Sequence, residues 1–116
     1  MPRSPSADTI LKVLRDFILS LVRRDGLDLT SRQLSIFLAV YLEEGPHTIR
    51  GIALRLDVSK PAVSRSVDRL ETLKLTKRAP DPLDRRSVLV VRTRQGQEFL
   101  AAMRHSLPRT LPPKAS

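Results

Sequence analysis

The sequence predicts a mainly α-helical fold with one small β-hairpin, and three observations lead there. Apolar residues recur at spacings of three and four from Ile10 to Leu73, with polar residues between them. After Leu73 the period changes to two short β-type runs flanking a charged turn rich in Pro and Asp. Helical spacing then returns from Thr93 to Leu107. With 116 residues the chain suits one domain, and 41% apolar against 3% aromatic content means a core of Leu, Ile and Val.

Residues 1–8, with Pro2, Pro5 and small polar neighbours, read as a disordered lead. A first helix follows from Thr9, with Ile10, Leu11, Val13, Leu14, Phe17, Ile18, Leu21 and Val22 on its apolar side. Arg23 and Arg24 suit its C-terminus and Gly26 is a natural stop. Its apolar stripe is wider than an edge helix of a small domain needs, so part of it is expected to meet a second subunit.

Thr30 and Gln33 stand three apart as a capping box, and the helix they open runs through Leu34, Phe37, Leu38, Tyr41 and Leu42 to Gly45-Pro46. Thr48 caps a short third helix holding Ile49, Ile52, Ala53 and Leu56. Asp57-Val58 makes a turn, since Asp tolerates left-handed backbone. Ser59 caps a fourth helix with Pro61 in its first turn and Val63, Val67, Leu70 and Leu73 inward. Leu75–Ala79 and Ser87–Val91 read as strands, Thr93 caps a last helix bearing Phe99, Leu100, Met103 and Leu107, and Pro108 closes it. Residues 108–116 read as a disordered tail.

Third helix, turn of about three residues, fourth helix and hairpin make a winged helix-turn-helix spanning 48–74 and 75–92. Charge supports a polyanionic partner: residues 50–94 carry twelve Lys/Arg against five Asp/Glu, a local +7 within a chain total of +9. In this motif the second helix presents its N-terminal residues to the major groove. Those residues are Ser59, Lys60, Pro61, Ala62, Ser64, Arg65 and Arg69. Helical period puts Ala62, Arg65 and Arg69 on one face, opposite Val63, Val67 and Leu70. Arg65 suits bidentate contact to guanine, Ala62 and the Pro61 ring suit a thymine methyl, and Lys60, Ser59, Ser64 and Thr48 suit phosphates or polar edges. The hairpin tip carries Arg85 and Arg86, either of which suits an adjacent minor groove, with Asp84 bracing one through a charge-assisted bond. A wet amphipathic helix and a solvated charged turn are the competing readings.

The stretches Thr48-Ile49-Arg50-Gly51-Ile52-Ala53 and Leu56-Asp57-Val58-Ser59-Lys60-Pro61-Ala62-Val63-Ser64-Arg65, with Leu70-Glu71, resemble the MarR family of winged-helix bacterial regulators. Asp81-Pro82-Leu83-Asp84-Arg85-Arg86-Ser87 resembles that family's wing, and Thr93-Arg94-Gln95-Gly96 the start of its next helix. The resemblance covers roughly residues 28–100 and implies a dimeric regulator. In it positions 59–65 and 69 meet the major groove and Arg85 or Arg86 the minor groove. It also implies dimerisation through residues 9–26 and 94–107, and a possible small-molecule effector. Asp57 and Lys74 stand where the family often has Gly, and Arg92 where an apolar residue closes the strand. The chain ends about where the family's last long helix begins, so the expected dimer interface is smaller or differently arranged.

Other classes find little support. There is no Cys, so disulfides and thiolate chemistry are excluded, and two separated His do not make a metal site. Tyr41, His47 and His105 are the only polar hints of a ligand site, and a lone His is more often structural. No phosphate loop, nucleophile elbow or paired carboxylate in a cleft suggests an enzyme, and no cofactor is expected. Without a transmembrane run or signal-peptide stretch, a cytoplasmic location is expected. A protein-interaction module docking through the first helix and a nonspecific nucleic-acid binder are the alternatives.

Overall fold

The computed structural model describes residues 5–23 and 27–107. The expected lead at 1–4, the stop at Arg24 and Gly26, and the tail at 108–116 lie outside the described residues. The elements are α1 (Ala7–Val22), α2 (Ser31–Leu42), α3 (Ile49–Leu56), α4 (Lys60–Thr72), β1 (Thr76–Pro80), β2 (Val88–Arg92) and α5 (Arg94–Ser106). This is the mainly α fold with one hairpin that the sequence predicts. The chain divides into two compact units, one of residues 29–100 and one holding α1 and the end of α5.

In the smaller unit the Ser6 hydroxyl accepts the Thr9 N–H at 3.1 Å, and Asp8 lies in the first turn near the positive end of the helix dipole. The cap starts α1 at Ala7, two residues before the apolar period suggests, so Ala7 and Asp8 are helix and not lead. Only Leu21 of α1 is buried, while Ile10, Leu11, Leu14, Ile18 and Val22 are between 44% and 58% exposed.

In the larger unit the Thr30–Gln33 capping box forms with both arms, at 3.1 and 3.0 Å. The buried face of α2 is Ile36, Phe37, Val40 and Tyr41, whereas Leu42 is exposed and Leu34 and Leu38 are only partly covered. The helix is rotated from the predicted stripe because its two large rings take the centre. Phe37 stacks on Tyr41 at 4.4 Å and meets the edge of Phe99 at 5.3 Å. Val63, Val67 and Leu70 of α4 and Val90 of β2 join this core, as do Ile52, Ala53, Leu75 and Leu100.

Helix ends α3 and α4 share one device. Asp57 has φ 54° and Lys74 φ 63°, and the next residue's N–H returns to the helix, Val58 to the Ala53 carbonyl and Leu75 to the Leu70 carbonyl. Leu75 is thereby consumed by the end of α4, which is why β1 begins at Thr76, one residue later than predicted. Its partner β2 shifts equally, pairing Thr76 with Arg92 and Pro80 with Val88 in antiparallel register. The segment before α3 joins the outer side of β2 through a Thr48–Leu89 bridge and a Val90 N–H to His47 carbonyl bond of 2.8 Å.

One hydroxyl ties both ends of the hairpin. Tyr41 Oη donates to the Leu75 carbonyl at 2.6 Å and accepts the Thr93 N–H at 2.9 Å. Gly96 passes so close that a Cβ there would overlap the Tyr41 hydroxyl and the Leu75 carbonyl. Thr93 Oγ1 caps α5 by accepting the Gly96 N–H at 2.9 Å and donates to the Lys74 carbonyl at 2.7 Å. Arg92 finds a role that its sequence position did not suggest. Its Nε and Nη2 donate to the Val40 and Glu43 carbonyls at 2.8 and 3.0 Å, satisfying the C-terminal end of α2, with the guanidinium 5.7 Å from the Tyr41 ring centre.

Candidate nucleic-acid interface

The turn from α3 to α4 places the Ser59 hydroxyl against the Ala62 N–H at 3.3 Å, which starts α4 with Pro61 in its first turn. The residues named from the sequence then separate. Ser59, Lys60, Pro61, Arg65 and Arg69 are exposed, with Pro61, Arg65 and Arg69 four apart on one ridge. Ala62 is buried at 6% exposure, so it does not share that ridge as expected. The inward arc of α4 is wider than the stripe of Val63, Val67 and Leu70, because it also takes in Ala62 and Ser66. Ser64 is half-buried and already engaged, its carbonyl and Oγ both accepting from Arg78 Nη2 at 3.2 Å. Thr48 Oγ1 caps α3 by accepting the Gly51 N–H at 2.9 Å.

The wing tip is built from two successive Asx turns. Asp81 Oδ1 accepts the Leu83 N–H and Asp84 Oδ1 the Arg86 N–H, each at 2.9 Å. Asp84 therefore supports the wing through the backbone of Arg86, and not through an arginine side chain as expected. Arg85 and Arg86 are both exposed. Between wing and helix-turn-helix lies a groove of about 830 Å³, lined by Thr48, Arg50, Lys60, Arg86 and Ser87 with Asp81 and Asp84 on one side.

The arginines divide by what holds them. Arg55 pairs with Glu43, Arg78 with Asp68 and Glu71, and Arg92 with carbonyls of α2. Among the described residues, no ion pair or side-chain hydrogen bond engages the cationic ends of Arg50, Lys60, Arg65, Arg69, Arg85 or Arg86. Sequence reasoning missed Arg50 and Arg78. Two carboxylates, Asp68 and Glu71, on an otherwise basic helix were the available signal for a partner such as Arg78.

Other chemistry is sparse. Among the described residues no three His, Cys, Asp or Glu cluster as a metal site. His47 Nε2 lies 3.0 Å from the Glu43 carbonyl, and burial, helped by the Arg92 charge, holds its imidazole below the ordinary histidine value. No described helix is long and apolar enough to cross a membrane.

A sequence profile of the MarR family matches residues 27–87. Among solved structures, the transcriptional regulator Tm0710 from Thermotoga maritima is 30% identical, with a TM-score of 0.73 over 85% of this chain and 67% of that one. The transcriptional regulator BldR from Sulfolobus solfataricus is 32% identical, with a TM-score of 0.61 over 85% and 71%. MepR of S. aureus, solved as a complex with DNA, shares the fold at 22% identity and a TM-score of 0.67 over 86% and 77%. A comparison with curated protein sequences finds no match.

Proposed function

Because the chain belongs to the MarR family of winged-helix transcription regulators, we propose that it reads specific sequences in double-stranded DNA as a homodimer. In this reading α4 enters the major groove and the wing sets Arg85 or Arg86 in the adjacent minor groove. The observation that carries it is the segregation of cations. Those held by carboxylates and carbonyls brace the scaffold, while Lys60, Arg65 and Arg69 on α4, Arg85 and Arg86 on the wing and Arg50 in the groove between them have no partner among the described residues. MepR of S. aureus, which shares the fold, is solved as a complex with DNA, and this supports DNA as the partner.

Arg65 makes the base contact, bidentate to guanine, and Arg69 follows it along the groove. Pro61 takes the thymine-methyl contact alone, since Ala62 is buried. Lys60, Ser59 and Thr48 hold phosphates, and the half-buried Ser64 contributes only its remaining donor capacity. Asp84 keeps the tip in shape. The apolar row of α1 pairs with a second copy, giving half-sites about one helical turn apart. The protein works in the cytoplasm, needs no cofactor and catalyses no reaction.

Selection of duplexes from a random pool tests this. The expected result is an enriched pseudo-palindrome whose binding survives scrambled competitor and weakens steeply with salt. Competition by scrambled DNA at equal strength would reduce the protein to a nonspecific binder. The exposed row of α1 also favours a second reading, in which it docks on another regulator; absence of duplex binding at low salt with a co-purifying protein would establish that one.

A further inference from the structure

Arg78 is the one polar side chain of the hairpin that reaches across to the recognition helix among the described residues. Its Nη2 donates to the Ser64 carbonyl and Oγ at 3.2 Å and lies 2.7 Å from Asp68 Oδ1. Its Nη1 stands 3.6 Å from Glu71 Oε2, and its own backbone N–H donates to that oxygen at 3.0 Å. Residues 64, 68 and 71 follow the helical repeat along one side of α4, so a single residue of β1 grips that helix over two turns. Its side chain is only 28% exposed, which strengthens each charge-assisted bond relative to a surface pair.

We infer that Arg78 is a positioning residue for DNA reading: it locks wing and recognition helix into one rigid reader, so the seating of α4 dictates where Arg85 and Arg86 land. The inference rests on the DNA-binding reading above. A two-stranded hairpin has little stiffness of its own, and contacts misplaced by about 1 Å lose most of their value. The backbone bonds that end α4 fix only the base of the hairpin, at Lys74 and Leu75. Arg78 adds a second fixed point further along β1. Its charge also offsets Asp68 and Glu71, the only carboxylates of α4, which would otherwise face the phosphates beside Arg65 and Arg69.

The test compares the full native chain with R78Q on a duplex taken from the selection, reading guanine methylation protection for the major groove and hydroxyl-radical protection for the minor groove. Native protein protects both. R78Q is expected to keep the guanine protection, to lose the minor-groove protection and to bind roughly tenfold more weakly. Adding R85A and R86A should then cost less than about twofold, against tenfold or more in the native background, because a displaced wing has nothing left to lose. A merely structural role would lower thermal stability and weaken both protections together. Full minor-groove protection in R78Q, with the wing arginines still worth their native factor, would overturn the inference and leave the DNA reading intact. If native protein protected neither groove on any selected duplex, the DNA reading would fail and the inference with it. Should R78Q not fold, the double variant D68A and E71A decides, since it removes both carboxylate partners of Arg78 from exposed positions. Loss of minor-groove protection in that variant supports the role, and retention refutes it.

Discussion

Thr76 is 1% exposed, and its Oγ1 has no hydrogen-bond partner among the described residues. A buried hydroxyl left unpaired has lost its water without compensation. Thr76→Val keeps the branched shape and removes that cost, so stability should rise by about 1 kcal/mol in urea unfolding. A loss would show that the hydroxyl is satisfied in solution. Two residues of α4 separate base reading from phosphate holding. Arg65→Ala is expected to cost about 1–3 kcal/mol of binding and to relax sequence preference, whereas Lys60→Ala weakens all duplexes evenly. Equal, sequence-independent losses in a binding titration would show Arg65 to be misassigned. Ala62 shows where residue-level reading stopped. Helical period alone put it beside Arg65, and only packing reveals that the inward arc is wide enough to take it.

At the scale of the element, the helix caps were legible because they are local. Thr30 with Gln33, Ser59 with Ala62 and Thr93 with Gly96 each lie three residues apart, and each cap forms at the residue the sequence marked for it. The links that join elements were not legible. Tyr41 reaches Thr93 and Arg92 reaches Val40 across 52 residues, and no local pattern distinguishes such a pair from any other tyrosine or arginine. The one-residue shift of both strands has the same origin, since the returning bond from Leu75 depends on a left-handed Lys74. That conformation is costly for a side chain with a Cβ. Lys74→Gly should therefore raise stability by about 0.5–1 kcal/mol, the strain relieved outweighing the entropy glycine adds to the unfolded chain. Asp57→Gly should gain less, because Asp tolerates left-handed backbone. Thermal melts of the two variants check the order.

At the scale of the whole molecule, the concentration of positive charge in residues 50–94 was visible from counting alone, and that segment holds the unpaired cations of α4, the wing and the groove. What counting hides is how many of those charges are spoken for by the scaffold. The apolar row of α1 was equally visible, and it stays exposed in the single chain. If a second copy covers it, Leu14→Glu places a charge in that contact. Sedimentation should then show a dimer for the native chain and a monomer for the variant, with weaker binding to a two-half-site duplex and little change on a single half-site. A variant that stays dimeric would move the interface elsewhere.

The Tyr41 hydroxyl holds the residue preceding one hairpin strand and the residue following the other. With the strands tied to the body by this hydroxyl, by Val90 and by Arg78, the tip between them carries no part of the core, so its length is free to drift. Inserting two residues between Leu83 and Asp84 should cost only a few tenths of a kcal/mol in melting stability, as expected for lengthening a closed loop. Its effect on affinity should be far larger, since the reach of the arginines changes while the body beneath does not. The same anchoring makes the tip a transplantable cassette, exchangeable between Pro80 and Val88 without repacking the strands that support it.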